Sequence, residues 1–435
     1  MGIKDKAKAF GKKFKLDSHH AIERFGVFFG IFALMGTIVI AGSGAAAIKA
    51  GSDTLSHTAL YNTEFTSSKT QLKGDVDGIY TNKAGDRALV MMHFGTKVSI
   101  SYNAADYQAF LLGSDTDLST KTVKTGGIRG TFHVFGSTGY VGVLLEADEP
   151  FDRQVLNLTI RANAELSYDE RQQATGNTDE AVRDSSFSKY DQWRVFFNPG
   201  ADGAEKIPAL EAMNFDPARA YYDVVLKAEE AKTREKLDQK LLAMRTNLAQ
   251  IQSYTSDLQT TKVDGLFLRP PSVPTTVAGD EISGASAAEA ENGVSTLALE
   301  TDHTVPGGFD LNWRAGNVYD GYLDVLVPSG QGYVEFLAAK RQEGSDATSQ
   351  QISSMKWILS DGSDLKNDYQ SSDVTMRPLT NVMHNLSQAY QDYGKSKSEY
   401  QSTLLLDLLR LDVQLRDVQS NSTVNETKDF LKTLY

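Results

Sequence analysis

Seven histidines, His19, His20, His57, His93, His133, His303 and His384, are the residues best suited to metal binding or proton transfer in this chain. None has the spacing of a metal site, such as two histidines one helical turn apart around a glutamate. His93 and His133 fall on predicted strands, where partly buried structural residues are expected. Asp75-Val76-Asp77-Gly78 opens like a calcium-binding loop. Ile79 and Lys83 then occupy later ligand positions and Asp86 replaces the closing glutamate, so the stretch reads as a turn. Asp361-Gly362-Ser363-Asp364 reads as a turn as well. The pairs Asp115/Asp117 and Asp148/Glu149 read as solvated loop acids rather than a glycosidase dyad. No nucleophile elbow, phosphate-binding loop or zinc-protease motif occurs. Gly42-Ser43-Gly44 followed by Ala47 mimics a dinucleotide fingerprint, but no strand precedes it. The absence of cysteine removes disulfides, thiolate catalysis and cysteine-ligated zinc. No cofactor, no metal and no enzymatic activity are expected. Tyr319, Tyr322 and Tyr333 cluster in one region and form a candidate binding surface for a sugar or peptide.

With chemistry so sparse, position along the chain carries more information. Residues 25–48, FGVFFGIFALMGTIVIAGSGAAAI, contain no charge. At about 1.5 Å of rise per residue they would cross the roughly 30 Å hydrocarbon core of a bilayer as a helix. Lys4, Lys6, Lys8, Lys12, Lys13, Lys15 and Arg24 precede them, against only Asp5, Asp17 and Glu23. The positive-inside rule then keeps residues 1–24 in the cytoplasm and sends residues 49–435 outside. The segment opens at Phe25. Gly26 and Gly30, continued by Ala33, Thr37 and Ala41, put small residues at four-residue spacing. That pattern suits close helix packing, or reflects the general abundance of small residues in membrane helices. The competing reading is a signal peptide cleaved near Ala47, which would secrete the body. The apolar run is longer than the usual 7–15 or so residues of a signal peptide's core, which favours the uncleaved anchor.

The whole chain carries 44 basic and 56 acidic residues, a formal net charge of −12. Because the basic excess sits in the tail, the body is strongly acidic and disfavours nucleic-acid partners. Large eukaryotic surface domains ordinarily carry disulfides, so a cysteine-free exported body points to a bacterial envelope.

The expected fold class is α+β. A single N-terminal transmembrane helix is followed by an antiparallel β-sandwich-like domain. A long antiparallel helical hairpin, or coiled coil, then brackets a smaller β-rich domain. The boundaries read as a basic tail at 1–24, the anchor at 25–48, a lead-in at 49–84 and the β-sandwich-like domain at 85–210. The first long helix follows at 216–262, a flexible Pro/Gly/Ala/Ser linker at 263–304, the small β-rich domain at 305–377 and the second helix at 378–435. Leu156, Leu158, Ile160 and Ala162 alternate with polar residues, a half-buried strand pattern. Residues 136–139, GSTG, read as a hairpin turn, and residues 166–186 as an exposed loop. Asp216-Pro217 is a helix start. Leu237, Leu241, Met244, Leu248, Ile251 and Leu258 then keep heptad spacing, with Thr255 at the missing position. On the second helix Leu379, Val382, Leu386, Ala389 and Tyr393 keep one phase. Leu404, Leu408, Leu411, Leu415 and Val418 keep another, offset by one residue. Between the helices, strands are expected near 319–327, 333–338 and 355–359, with Trp313 and Trp357 in a core.

These features predict a membrane-anchored scaffold component of a secretion, conjugation or surface assembly. Its partners would be the lipid bilayer and other envelope proteins, or a second copy through the helices. The alternative is an extracytoplasmic binding module, adhesin or hydrolase acting on cell-wall glycan or peptide.

Overall fold

Strand β3 (Arg87–Phe94) reads RALVMMHF, with five consecutive apolar residues that are all fully buried. Such a run marks a strand covered on both faces. In the computed structural model, which describes residues 56–95, 98–113, 125–162, 167–168, 190–328, 330–342, 347–369 and 374–434, that is its situation. One face of its sheet meets a second sheet and the other meets helices. Residues 25–48, including Phe25, Gly26, Gly30, Ala33, Thr37 and Ala41, lie outside the described residues, as do 166, Asp115/Asp117 and most of the expected loop up to 186. Among the described residues no helix is long and apolar enough to cross a membrane.

The fold is mixed α+β, with largely antiparallel sheets and two long helical stretches. In the larger sheet the order runs β1 (Glu64–Thr66), β2 (Lys73–Thr81), β3, β7 (Tyr140–Glu146), β6 (Arg129–Val134), β14 (Thr423–Asn425), and β11 (Glu205–Lys206) pairs with β2 in parallel. The second sheet is ordered β10 (Gln192–Phe197), β8 (Leu156–Ala162), β5 (Tyr107–Gly113), β15 (Leu431–Leu434), and the short strands β4 (Val98–Ser99) and β9 (Ser167–Tyr168) pair with each other. The two share one core. Leu156, Leu158, Ile160 and Ala162 are buried in it as their alternation predicts. Trp193 bridges the sheets, stacked on Phe65 at 5.6 Å and edge-on to Phe94 at 5.2 Å. The β6–β7 hairpin turns at residues 136–139, with positive φ at Gly136 and Gly139. A Cβ on Gly139 would stand 2.8 Å from the Phe94 carbonyl oxygen, so only glycine fits there.

The chain leaves this β unit after β11 and returns to it at the C-terminus. The second long helix does not run to residue 435: it ends at Asn421, and β14 and β15 join β6 and β5. Ser422 is extended, and Thr423, Val424 and Asn425 directly after it are β-branched or poor helix formers, which ends the helical pattern.

Asp216 caps the first helical stretch, accepting the Ala218 amide at 2.9 Å, with Pro217 at the first position as expected. The stretch comprises α1 (Pro217–Tyr221), a π turn (Tyr222–Leu226) and α2 (Lys227–Thr260). Short helices α3 (Leu323–Leu326), α4 (Tyr333–Gln342) and α5 (Ala347–Ser353) intervene before α6 (Arg377–Ser398), a second π turn (Glu399–Leu404) and α7 (Leu405–Asn421). The second π turn lies where the apolar phase slips. A π turn accommodates one extra residue and carries the buried stripe across the offset. The long stretches run antiparallel: Lys240 pairs with Glu399 at 2.8 Å, and Tyr390 with Thr255 further along α2.

Two expectations between the long helices are corrected. The strands expected at 319–327 and 333–338 are helices α3 and α4, and near 355–359 only isolated bridges form. Short apolar runs fit either period, and Glu, Leu, Ala, Lys, Arg and Gln in α4 are strong helix formers. The segment expected as a flexible linker is packed: Leu268, Val277, Ile282, Leu297 and Leu299 are buried, and β12 (Glu281–Ser283) pairs with β13 (Ala298–Glu300). Sparse apolar anchors among small residues let this backbone lie close against the helices.

The heptad residues Leu237, Leu241, Met244, Ile251, Leu258, Leu404, Leu408, Leu411 and Leu415 are buried in one core, whereas Leu248 is half-buried. Leu241→Ala should therefore cost about 2–5 kcal/mol, and Leu248→Ala clearly less. Chemical denaturation of both variants checks the difference, and equal losses would contradict this packing.

Candidate functional site

Both long helical stretches carry charged or amide residues at positions where their apolar stripe demands burial. Glu230 lies seven residues before Leu237, Lys397 seven before Leu404, and Gln401 seven before Leu408. All three are buried, as is Asp412. A buried charge without partners is very costly, so each must be met by something. In every case the intervening segment 261–376 supplies part of the answer.

Glu230 accepts hydrogen bonds from the Val318 amide at 3.2 Å, the Tyr222 hydroxyl at 3.1 Å and the Tyr322 hydroxyl at 3.2 Å. Arg234 donates to it from the next turn at 2.9 Å. The same guanidinium reaches the Gly316 carbonyl and the Tyr322 hydroxyl and lies over the Trp313 ring. Asp412, opposite, accepts the Tyr322 and Leu323 amides at 2.7 and 2.8 Å, which caps the N-terminus of α3. Arg416 pairs with Asp412 and reaches Asp324 at 2.7 Å. At the second π turn the Tyr400 hydroxyl accepts the Trp313 indole N–H at 3.0 Å, and Gln401 accepts the Val305 amide at 2.9 Å.

Lys397 makes the most enclosed of these contacts. Its Nζ lies within hydrogen-bond distance of four acceptors, Asp280 Oδ2 at 2.6 Å, the His303 carbonyl at 2.7 Å, Thr301 Oγ1 at 2.9 Å and the Thr276 carbonyl at 3.0 Å, which share its three N–H donors. The Tyr393 hydroxyl donates to the same Asp280 oxygen at 2.5 Å. Both charged side chains are wholly inaccessible. Burial pulls the lysine below its ordinary pKa, with Asp280 opposing the shift.

The three tyrosines singled out from sequence do not make one exposed platform. Tyr322 is buried in the Glu230 cluster. Tyr319 is half-buried under the Arg219 guanidinium, and Tyr333 donates to Asp324 at 2.7 Å with Arg416 over its ring. Each lies against a cation from a long helix and has its hydroxyl engaged.

No family model, no curated protein and no solved structure matches this chain.

The remaining chemistry-bearing residues are dispersed. Among the described residues no group of three His, Asp or Glu side chains is placed to hold a metal ion. Asp75-Val76-Asp77-Gly78 is not a turn. It lies on β2 at a bulge between Val76 and Gly78, and Asp77 accepts from the Tyr80 hydroxyl at 3.2 Å. Asp361-Gly362-Ser363-Asp364 does form a turn, with Gly362 at positive φ. His57, His303 and His384 are exposed. His93 stacks on Tyr140 at 4.3 Å. A cleft of about 700 Å³ lies between residues 269–275 and 351–358; its lining holds Arg269 and Lys356 but no carboxylate or histidine.

The signal that identifies the buried clusters is a polar residue in the apolar phase of a long helix. Glu230, Lys397 and Gln401 are legible that way, whereas Asp280, in a segment without period, is not.

Two outcomes follow. Asp412→Ala strips two buried amides of their acceptor and should lower stability by about 1–3 kcal/mol for each. Asp412→Asn, which keeps an acceptor, should cost less, as denaturant unfolding would report. His133, buried on β6 with Thr131 Oγ1 as its side-chain hydrogen-bond partner among the described residues at 2.9 Å, has its pKa lowered by burial from 6.5 to about 4. The unfolded chain therefore takes up this proton first as pH falls. Its contribution is whole above pH 6.5 and is lost toward pH 4, at about 1.4 kcal/mol per pH unit. Stability–pH curves of wild type and His133→Gln should converge across that window; parallel curves would contradict the assignment.

Proposed function

We propose that this chain is a membrane-anchored structural or interaction protein of a bacterial cell envelope, a scaffold component of a secretion, conjugation or surface assembly. The observation that carries the reading is the uncharged stretch 25–48 behind seven basic residues. In this reading the anchor holds residues 1–24 in the cytoplasm and the body outside, where the paired sheets serve as a sandwich-like unit and the long helices as a coiled hairpin. The character of the body supports it. Its buried charges are used to tie the intervening segment to the helices, leaving a rigid body with an acidic surface suited to contacts with other proteins. The partners are the bilayer, other envelope proteins or a second copy of the chain.

The test combines topology with association. In the source cells the protein should fractionate with membranes and begin upstream of residue 25. Protease added to wall-stripped cells should degrade the body and spare the basic tail. Release into the medium with a start just after Ala47 would make it a secreted protein. Detergent extraction should yield a complex with other envelope proteins or a homo-oligomer. A lone monomer would sink the scaffold role.

A further inference from the structure

The Lys397–Asp280 cluster has the geometry of a reaction site as well as that of a clasp. The ammonium and the carboxylate come from segments 117 residues apart and touch at 2.6 Å. Neither side chain has any solvent access. Among the described residues nothing donates to Asp280 Oδ1, while Oδ2 receives both Lys397 and the Tyr393 hydroxyl. A buried carboxylate with one bare oxygen is poorly solvated, and so is a buried ammonium. Surroundings that solvate neither charge lower the cost of passing a proton between the two touching groups.

We propose that Lys397 and Asp280 condense to an amide, an intramolecular isopeptide cross-link between the second long helix and the residue preceding β12. The ion pair first passes one proton from Nζ to Oδ2. The Nζ lone pair then adds to the Asp280 carboxyl carbon, and the C=O π pair moves onto Oδ1. Collapse of this adduct re-forms the carbonyl at Oδ1 and expels Oδ2, which takes a second proton from nitrogen and departs as water. The three protons of the ammonium are thus accounted for, one on the amide nitrogen and two in the water. No oxidant, metal or cofactor is required. Tyr393 donates its hydrogen bond to the departing oxygen and ends unchanged. Burial and the adjacent carboxylate hold that phenol's pKa above its ordinary value, so it stays a donor.

Two further features favour the reaction. The fold holds amine and acid in contact, which removes the entropic barrier that a bimolecular condensation faces. Exclusion of water opposes the reverse hydrolysis. The cross-link would also supply what a cysteine-free chain lacks, a covalent tie across a long loop. The inference is independent of where the protein resides.

The deciding measurement is intact mass of the folded, full-length protein under denaturing conditions, followed by tandem mass spectrometry of its protease digest. The expected result is a mass one water below that of the sequence and a branched peptide joining Lys397 to Asp280. Lys397→Arg, which keeps the charge but cannot condense, should show the full mass, and so should Asp280→Ala. Circular dichroism of Lys397→Arg separates loss of the link from loss of the fold. A wild-type chain in which the peptides bearing Lys397 and Asp280 are found only unlinked overturns the proposal and leaves a plain buried ion pair. A mass deficit that maps to other residues overturns it as well.

Discussion

The organisation of the helical half depends on charges placed where an apolar stripe should be continuous. Removing a carboxylate or ammonium from water costs several kcal/mol even after relaxation, and apolar side chains in the same core give nothing in return. Glu230, Lys397 and Asp412 can be tolerated only if polar backbone and side chains are brought to them. The segment between the helices does this. It lays amides of Val318, Tyr322 and Leu323, carbonyls of Thr276 and His303, and the carboxylate of Asp280 against the helices. Breaking any one of these contacts leaves a buried polar group short of a partner, so the clusters specify one arrangement of the segment more sharply than leucine packing alone would.

A second constraint couples this half to the sheets. The larger sheet is buried on both faces, so the helices are required to cover Leu89, Met91 and Leu144. The turn between β6 and β7 is fastened to the second long helix, where Asp417 accepts the Ser137 amide at 2.6 Å. The C-terminal strands then close the circuit by pairing with β6 and β5. Because residues 211–422 leave the β unit and return to it, sheets and helices have one shared boundary rather than a hinge at a single linker.

These features bear on function through what they use up. Several titratable groups with strong environmental shifts, Tyr322 beside Glu230, Tyr393 beside Lys397 and His133 on β6, lie inside the packing rather than in the open cleft beside residues 269–275. Perturbed groups facing a cavity are the usual mark of catalysis, whereas structural ion-pair networks between packed segments perturb pKa values as well. A rigid, acidic body behind a basic, apolar N-terminal segment is consistent with an envelope component that works by contact.

Local sequence determined the elements whose signal is periodic and long. The alternation of Leu156 to Ala162 and the leucine stripes of both helices repeat along their elements, each repeat reinforcing the same conformation, and the GSTG turn and the Asp216-Pro217 start are compact signals of turn and cap chemistry. The one-residue offset before Leu404 was also legible, and the π turn is its physical form. Tertiary structure decided the rest. The runs around Leu323 and Tyr333 are short enough to satisfy either period, and capping by Asp412 and strong helix formers settle them as helices. The 263–304 segment has too few apolar residues to announce a fold, yet Leu268, Ile282 and Leu299 suffice once a helical surface is there to receive them. The strand identity of residues 423–425 and 431–434 depends on open edges at β6 and β5, which no window of those residues encodes. The pairing of Lys397 with Asp280 likewise joins residues 117 positions apart, and only the folded chain brings that charge to its partner.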